Sequence, residues 1–154
     1  MALVDIVANW PRRHPDARII SVCSGALLLA QAGLLRGRRA TTHWCRADEV
    51  GQLWPETDWK MVAIHVEDGP IWTSAGVTSG IDLALALIRR DLGADQAQAV
   101  ARQMLVSVQR GGGQAQYAAL LAAQYAAADR LARDCLIFCV FVLWSMLSGA
   151  RKHE

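Results

Sequence analysis

The stretch from residue 17 to residue 35 limits the folds open to this chain more than any other. It opens on Ala-Arg-Ile-Ile-Ser-Val, a short, β-branched run bounded by turn formers, which is the pattern of a buried strand. Cys23, Ser24 and Gly25 follow with no spacer, and residues 26–35 are rich in Ala and Leu, as a helix would be. Gly33 falls near the end of that helical pattern and Gly37 just past it, both placed as stops. A strand that passes straight into a helix belongs to a layered α/β arrangement, and the residue at the turn stands exposed above the sheet.

The rest of the chain continues the alternation. Leu3, Ile6, Val7 and Trp10 have the i, i+3, i+4, i+7 spacing of a helix, which the polar stretch between Pro11 and Pro15 ends. Residues 39–42 form a second short strand pattern, followed by His43, Trp44, Cys45 and a helix through Val50 and Leu53 to Pro55. Residues 61–66 and 71–74 flank the turn Glu67-Asp68-Gly69 and predict a hairpin. Small residues fill 75–80, helices are expected over 82–92 and 94–108, and Gly111-Gly112-Gly113 breaks the chain. The expected fold class is therefore α/β, a partial Rossmann-like or flavodoxin-like layered sheet, largely parallel, with flanking helices.

Composition narrows the function classes. The chain has 154 residues, 53% hydrophobic and 19% charged, enough to bury a core and too apolar for disorder. A net charge of +2 gives no basic stripe, so no direct DNA binding is expected from this chain. Cys23, Cys45, Cys135 and Cys139 are spaced by 22, 90 and 4 residues, which matches no zinc signature and contains no C-x-x-C. Neither a metal nor a cofactor is expected. No basic n-region precedes an apolar run at the N-terminus, so the expected compartment is the cytoplasm, with reduced thiols.

Candidate chemistry gathers at two places. At the strand–helix turn, Cys23 has the position of an elbow nucleophile, and the Ser24 N–H is one candidate oxyanion donor. The alternative is a small buried cysteine with no role. His43 follows the second strand and would pair with Cys23 if the two strand ends lie side by side; its alternative is a packed or surface histidine. The second place is Thr73-Ser74-Ala75-Gly76, small residues that admit a ligand or a neighbouring turn close to the backbone. Ser24, Gly25, Thr73, Ser74, Ala75 and Gly76 are thus the candidate ligand-binding residues, and Cys23 and His43 the candidate catalytic pair. His65, inside a strand pattern, is expected to be structural, and Asp82 to complement the dipole of its helix.

Four runs in order carry a resemblance. They are Ser21-Val-Cys-Ser-Gly-Ala-Leu-Leu-Leu-Ala30, Ala32-Gly-Leu-Leu-Arg-Gly-Arg-Arg-Ala-Thr-Thr-His-Trp44, Trp72-Thr-Ser-Ala-Gly-Val-Thr-Ser-Gly-Ile-Asp-Leu-Ala84 and Gly112-Gly-Gln-Ala-Gln-Tyr117. Together they resemble the ThiJ/PfpI-like, class I glutamine-amidotransferase-like sensing domain of AraC/GlxA-type transcriptional regulators, over roughly residues 3–124. The resemblance implies that Cys23 is the elbow cysteine, that His43 lies near it, and that the pocket senses an unknown small-molecule effector. It also implies an acidic partner from a first strand–helix unit, a role to which no residue of this chain is assigned.

Two departures from that pattern shape the remaining expectations. Roughly two βαβ-type units would precede Leu3 in a complete domain, so the chain reads as truncated at both ends and prone to self-association. Residues 125–154 read as a divergent hydrophobic helical tail with no helix-turn-helix. Its apolar run from Cys135 to Leu147 is 13 residues, and 16 when extended to Ala150, against the ~20 that a membrane span needs. A packing helix is favoured there over membrane association through 135–150. The functional expectation is a truncated ligand-sensing domain of an AraC-family regulator. The alternatives are a small-molecule cysteine hydrolase or hydratase of the same superfamily, isonitrile-hydratase-like or amidase-like, and a membrane-associated or vestigial protein.

Overall fold

In the computed structural model, residues 3–107 are described. Helix α1 (Leu3–Arg13) carries Asp5 in its first turn and Arg12 and Arg13 in its last, charges that complement its dipole. It runs through Pro11, where the sequence places its end. Proline lacks an N–H, but in the final turn this removes one bond only, and His14 N–H still closes the helix onto Trp10 O at 3.0 Å. Strand β1 (Ile19–Val22) then leads through Cys23 and Ser24 into α2 (Gly25–Gln31). That helix stops four residues before the expected Leu35. Gly33 takes a left-handed φ of +74°, and Leu34 N–H bonds back to Leu29 O at 3.0 Å, the C-terminal capping geometry that glycine permits.

Strand β2 shrinks to Arg39–Ala40 and pairs in parallel with β3 (Asp58–Trp59), an element the sequence does not announce. Between them a 3-10 turn (Trp44–Arg46) leads into α3 (Ala47–Leu53). The hairpin is β4 (His65–Asp68) and β5 (Ile71–Ser74), antiparallel, with Gly69 at φ +58° and Pro70 forming the two-residue turn. Strand β4 starts at His65 rather than residue 61, because Ala63 N–H bonds to Lys60 O at 2.9 Å and makes a turn there.

The order in the larger sheet is β1-β5-β4, with β1 parallel to β5. The described sheet is thus mixed, and β1 lies beside β5, not beside β2 as the elbow argument assumed. One face, with Ile71 and Ile19, packs on Ala26, Leu29, Ala30, Leu35 and Ala40, flanked by Val7, Trp54 and Trp59. Helix α4 (Val77–Leu92) packs against β1, β4 and β5. It begins five residues before the expected Asp82, and its Gly80 shows why: a Cβ there would meet both Val22 methyl groups at 3.4 Å, so glycine lets the helix settle against β1. Gly93, at φ +92°, separates α4 from α5 (Ala94–Gln103), which ends before the expected residue 108, with Leu105 left-handed at φ +55°.

The result is an α/β layered fold, as expected. The Gly111–Gly113 break, the domain boundary at 124, and the 125–154 tail with its packing and membrane alternatives lie outside the described residues. Among the described residues, no helix is long and apolar enough to cross a membrane.

Candidate functional site

Cys23 is built as an elbow. Its φ is +55°, left-handed for a residue with a side chain, which costs about 1–3 kcal/mol and persists only where the surroundings enforce it. Here the enforcement is visible. The Cys23 N–H extends the β1–β5 ladder by donating to Ser74 O at 2.8 Å, and the Ala26 N–H of α2 donates to Cys23 O at 3.3 Å. The same carbonyl accepts the Thr42 hydroxyl at 2.9 Å. Gly25 packs closely next to the elbow: a Cβ there would sit 3.4 Å from Ser21 Cβ.

Three buried threonines tie the strand ends together. Thr41 N–H donates to Thr73 Oγ1 at 2.8 Å, Thr41 Oγ1 to Ala63 O at 3.2 Å, and Thr42 Oγ1 to the elbow carbonyl. Through these bonds the end of β2 reaches the elbow across the end of β5, although β1 and β2 are not sheet neighbours. His43 follows directly and comes to rest beside Gly76, where a Cβ would lie 3.7 Å from His43 Cδ2.

The geometry of His43 brings in a residue that the sequence reading does not single out. His43 caps the 3-10 turn, and its Nδ1 accepts the Cys45 N–H at 3.4 Å. A nitrogen that accepts carries no proton, so in the 2.9 Å contact between His43 Nδ1 and Cys45 Sγ the thiol is the donor. Burial, seconded by the nearby Arg46 guanidinium, holds the imidazole below its ordinary range and therefore neutral. Burial also pushes the Cys45 thiol up; Arg46 opposes this, while charge on Cys23 and Glu49 adds to it. Arg46 itself pairs with Glu49 at 2.8 Å. The sulfur of Cys23 lies 3.8 Å from Ser24 Oγ.

The other candidate residues are placed as follows. Thr73, Ser74 and Ala75 are buried, and the Thr73 hydroxyl is engaged by Thr41. Ser74 Oγ, Ser21 Oγ and His65 Nδ1 are buried without a hydrogen-bond partner among the described residues. Ser74 and His65 are register partners across β4 and β5, and burial lowers the His65 imidazole while the charge of Asp82 pulls it up. Among the described residues no three His, Cys, Asp or Glu side chains are grouped to hold a metal ion.

With this geometry in hand, comparison with known proteins is informative. The DJ-1/PfpI family model matches residues 5–90, more than half of the chain. The chain belongs to the DJ-1/PfpI family. Among curated relatives of this family, it is 44% identical to the isonitrile hydratase of Pseudomonas putida over 86 residues, which are 56% of this chain and 36% of that protein. It is 36% identical to the HTH-type transcriptional regulator CdhR of Pseudomonas aeruginosa over 107 residues, 68% of this chain and 32% of the regulator. The chain thus spans about a third of the length of these relatives. A crystal structure of an AraC family transcriptional regulator from Pseudomonas putida superposes with a TM-score of 0.58 at 24% identity, covering 66% of this chain and 54% of that one. That likeness carries the fold. Within the DJ-1/PfpI frame, the residues sequence reasoning missed are Thr41, Thr42 and Cys45. The run Thr-Thr-His-Trp-Cys was the available signal, since a cysteine two residues after a histidine can fold back onto its ring.

Proposed function

We propose that this chain contributes the effector-sensing segment of an AraC/GlxA-type transcriptional regulator, and that the junction of Cys23, His43 and Gly76 is where a small molecule is read. The observation that carries this reading is the regulator match, which runs over 107 residues and reaches beyond the 86 of the isonitrile hydratase match. The buried Ser74 and Ser21 hydroxyls, without partners among the described residues, support it, because an unpaired buried polar group is available to a ligand. In this reading Ser24, Gly25, Thr73, Ser74, Ala75 and Gly76 contact the effector, the sensing segment extends to about residue 124, and the compartment is the cytoplasm. No metal or cofactor enters. Self-association is supported by the exposed Leu3, Ile6 and Trp10 on one stripe of α1.

The experiment is protection of Cys23. The chain is screened against a panel of small polar metabolites by thermal shift, and each hit is tested for slowing alkylation of Cys23 as mapped by mass spectrometry. Hits that raise the melting temperature and leave Cys23 alkylation unchanged would place the effector elsewhere. The second reading, a cysteine hydratase, rests on the strained Cys23 elbow and the 44% identity. It requires Cys23-dependent conversion of an alkyl isonitrile to the N-alkylformamide, and a null result with folded protein removes it.

A further inference from the structure

Cys45 stands outside every role given so far, yet its thiol is in direct contact with His43 at the junction that holds Cys23. It is exposed on the 3-10 turn, its sulfur is 2.9 Å from His43 Nδ1, and its turn is anchored three residues earlier by the 2.9 Å bond from Thr42 to the Cys23 carbonyl. The segment that carries Cys45 is thus tied directly to the backbone of Cys23. An exposed thiol, a neutral base in contact with it and a second thiol across the same junction are the parts of a thiol–disulfide exchange site.

We propose that Cys45 is the entry thiol of a redox-modification site that exchanges with low-molecular-weight disulfides and closes onto Cys23. His43 Nδ1 takes the Cys45 proton as the sulfur attacks one sulfur of RSSR. The S–S bond of the reagent breaks, the Cys45–S–S–R bond forms, and RS⁻ leaves and takes the proton back from His43. Cys23 then attacks Cys45 Sγ; the Cys45–S–S–R bond breaks, the Cys23–Cys45 disulfide forms, and the second RS⁻ leaves and takes up the Cys23 proton as RSH. One RSSR is reduced to two RSH, and two protein thiols are oxidised to one disulfide. The reaction needs no electron acceptor other than RSSR.

The charged groups around the pair fit this role. Burial, with Cys23 and Glu49, raises the Cys45 thiol, while Arg46 opposes this and favours the anion that forms as His43 takes the proton. A thiol of raised pKa is also the stronger nucleophile once deprotonated. Because Cys23 is the residue held in the elbow, a bond to Cys45 would pull directly on the strained position. Sensing of an effector and sensing of disulfide stress would then meet at one residue, whichever of the two functional readings holds.

The test uses the full chain, with all four cysteines, treated with oxidised glutathione and mapped by non-reducing peptide mass spectrometry. The expected products are a glutathione adduct on Cys45 at early times and a Cys23–Cys45 cross-linked peptide later. Cys23→Ser stops the reaction at the Cys45 adduct, and Cys45→Ser removes the cross-link. His43→Asn slows the Cys45 adduct on the order of tenfold or more near neutral pH, with the deficit shrinking at alkaline pH, where the thiol ionises without help. Circular dichroism of each variant establishes that it is folded. In the wild-type chain, which needs no variant to fold, an adduct that appears first on Cys23, or a cross-link of Cys23 only to Cys135 or Cys139, overturns the proposal.

Discussion

At the end where β1 and β5 begin, the chain is clamped by charge. Arg18 holds Asp91 at the end of α4 through both carboxylate oxygens, at 2.7 and 2.8 Å, Arg90 pairs with Glu67, and Arg38 and Arg39 share Asp68. Trp72 is almost fully buried at this end, with the guanidinium carbons of Arg18 and Arg90 at 5.9 and 5.3 Å from its ring centroid. At the end where the same two strands stop, the charge pair among the described residues is Arg46–Glu49. Beside it are a left-handed cysteine, an imidazole lowered by burial, three stapled threonines and the buried Ser21, Ser74 and His65 atoms that have no partner among the described residues. The two ends divide the work: redundant contacts at one end allow strain and unsatisfied groups to persist at the other.

Breaking the clamped end should cost most. Trp72→Ala removes the largest fully buried side chain among the described residues together with two cation–π contacts, and a loss of about 3–5 kcal/mol is expected by urea denaturation. A loss under 1 kcal/mol would mean that this end does not carry the fold.

Acidification should act next, and on the opposite end. His43 and His65 both have imidazoles lowered by burial, so the folded state prefers them neutral. The unfolded chain binds the protons more readily. The stability that the neutral histidines confer is therefore complete above the ordinary imidazole range near 6.5 and is lost as the pH falls through and below it. Denaturation midpoints taken between pH 8 and pH 5 should fall, and His65→Phe should flatten part of that dependence. Asp68 works the other way along the scale. Its carboxylate is held below its ordinary range, chiefly by the Arg39 backbone N–H, so its contribution is present above the carboxylate range and disappears only in strong acid. An unchanged midpoint from pH 8 to pH 5 would sink the histidine assignment.

Smaller still is the release of strain at the elbow. Cys23→Gly fits φ +55° without a Cβ clash and should raise stability by up to about 1 kcal/mol, a gain trimmed by the freedom glycine adds to the unfolded chain. Cys23→Ala keeps the strain and should change little. The smallest effect is expected from Arg36→Ala, because its pairing with Glu56 at 3.6 Å is largely exposed; it should lie within about 0.5 kcal/mol.

The clamped end and the strained end differ in how far the sequence reveals them. β1, β5 and the start of α2 are legible because β-branched runs end abruptly in small residues, a signal local to each element. β3 is not, since Asp58–Trp59 is a two-residue strand that exists only because β2 lies beside it. The first turn of α4 is hidden for a related reason: Thr78, Ser79 and Gly80 are poor helix formers, and Gly80 is chosen by its contact with Val22. Cys23 and His43 could be nominated from position. The route that joins their neighbourhoods runs through Thr42 and Thr73 rather than through adjacent strands, and such side-chain bonds leave no periodic trace. Cys45 is invisible as the thiol facing His43 until the 3-10 turn folds it back.

The register of β1 on β5 also sets an order of events during synthesis. Ile19 pairs with Ile71 and Val22 with Ser74, so each rung joins residues 52 apart, and the hydrogen bond that fixes Cys23 reaches to Ser74. Closing so long a loop costs more entropy than closing a local turn, and a topology of such long-range rungs folds more slowly than one of local contacts. On the ribosome the cysteine emerges well before the strand that will shape it. Until β5 arrives, Cys23 is an ordinary thiol on a flexible chain, and whatever the elbow does begins only when the last strand of the hairpin docks.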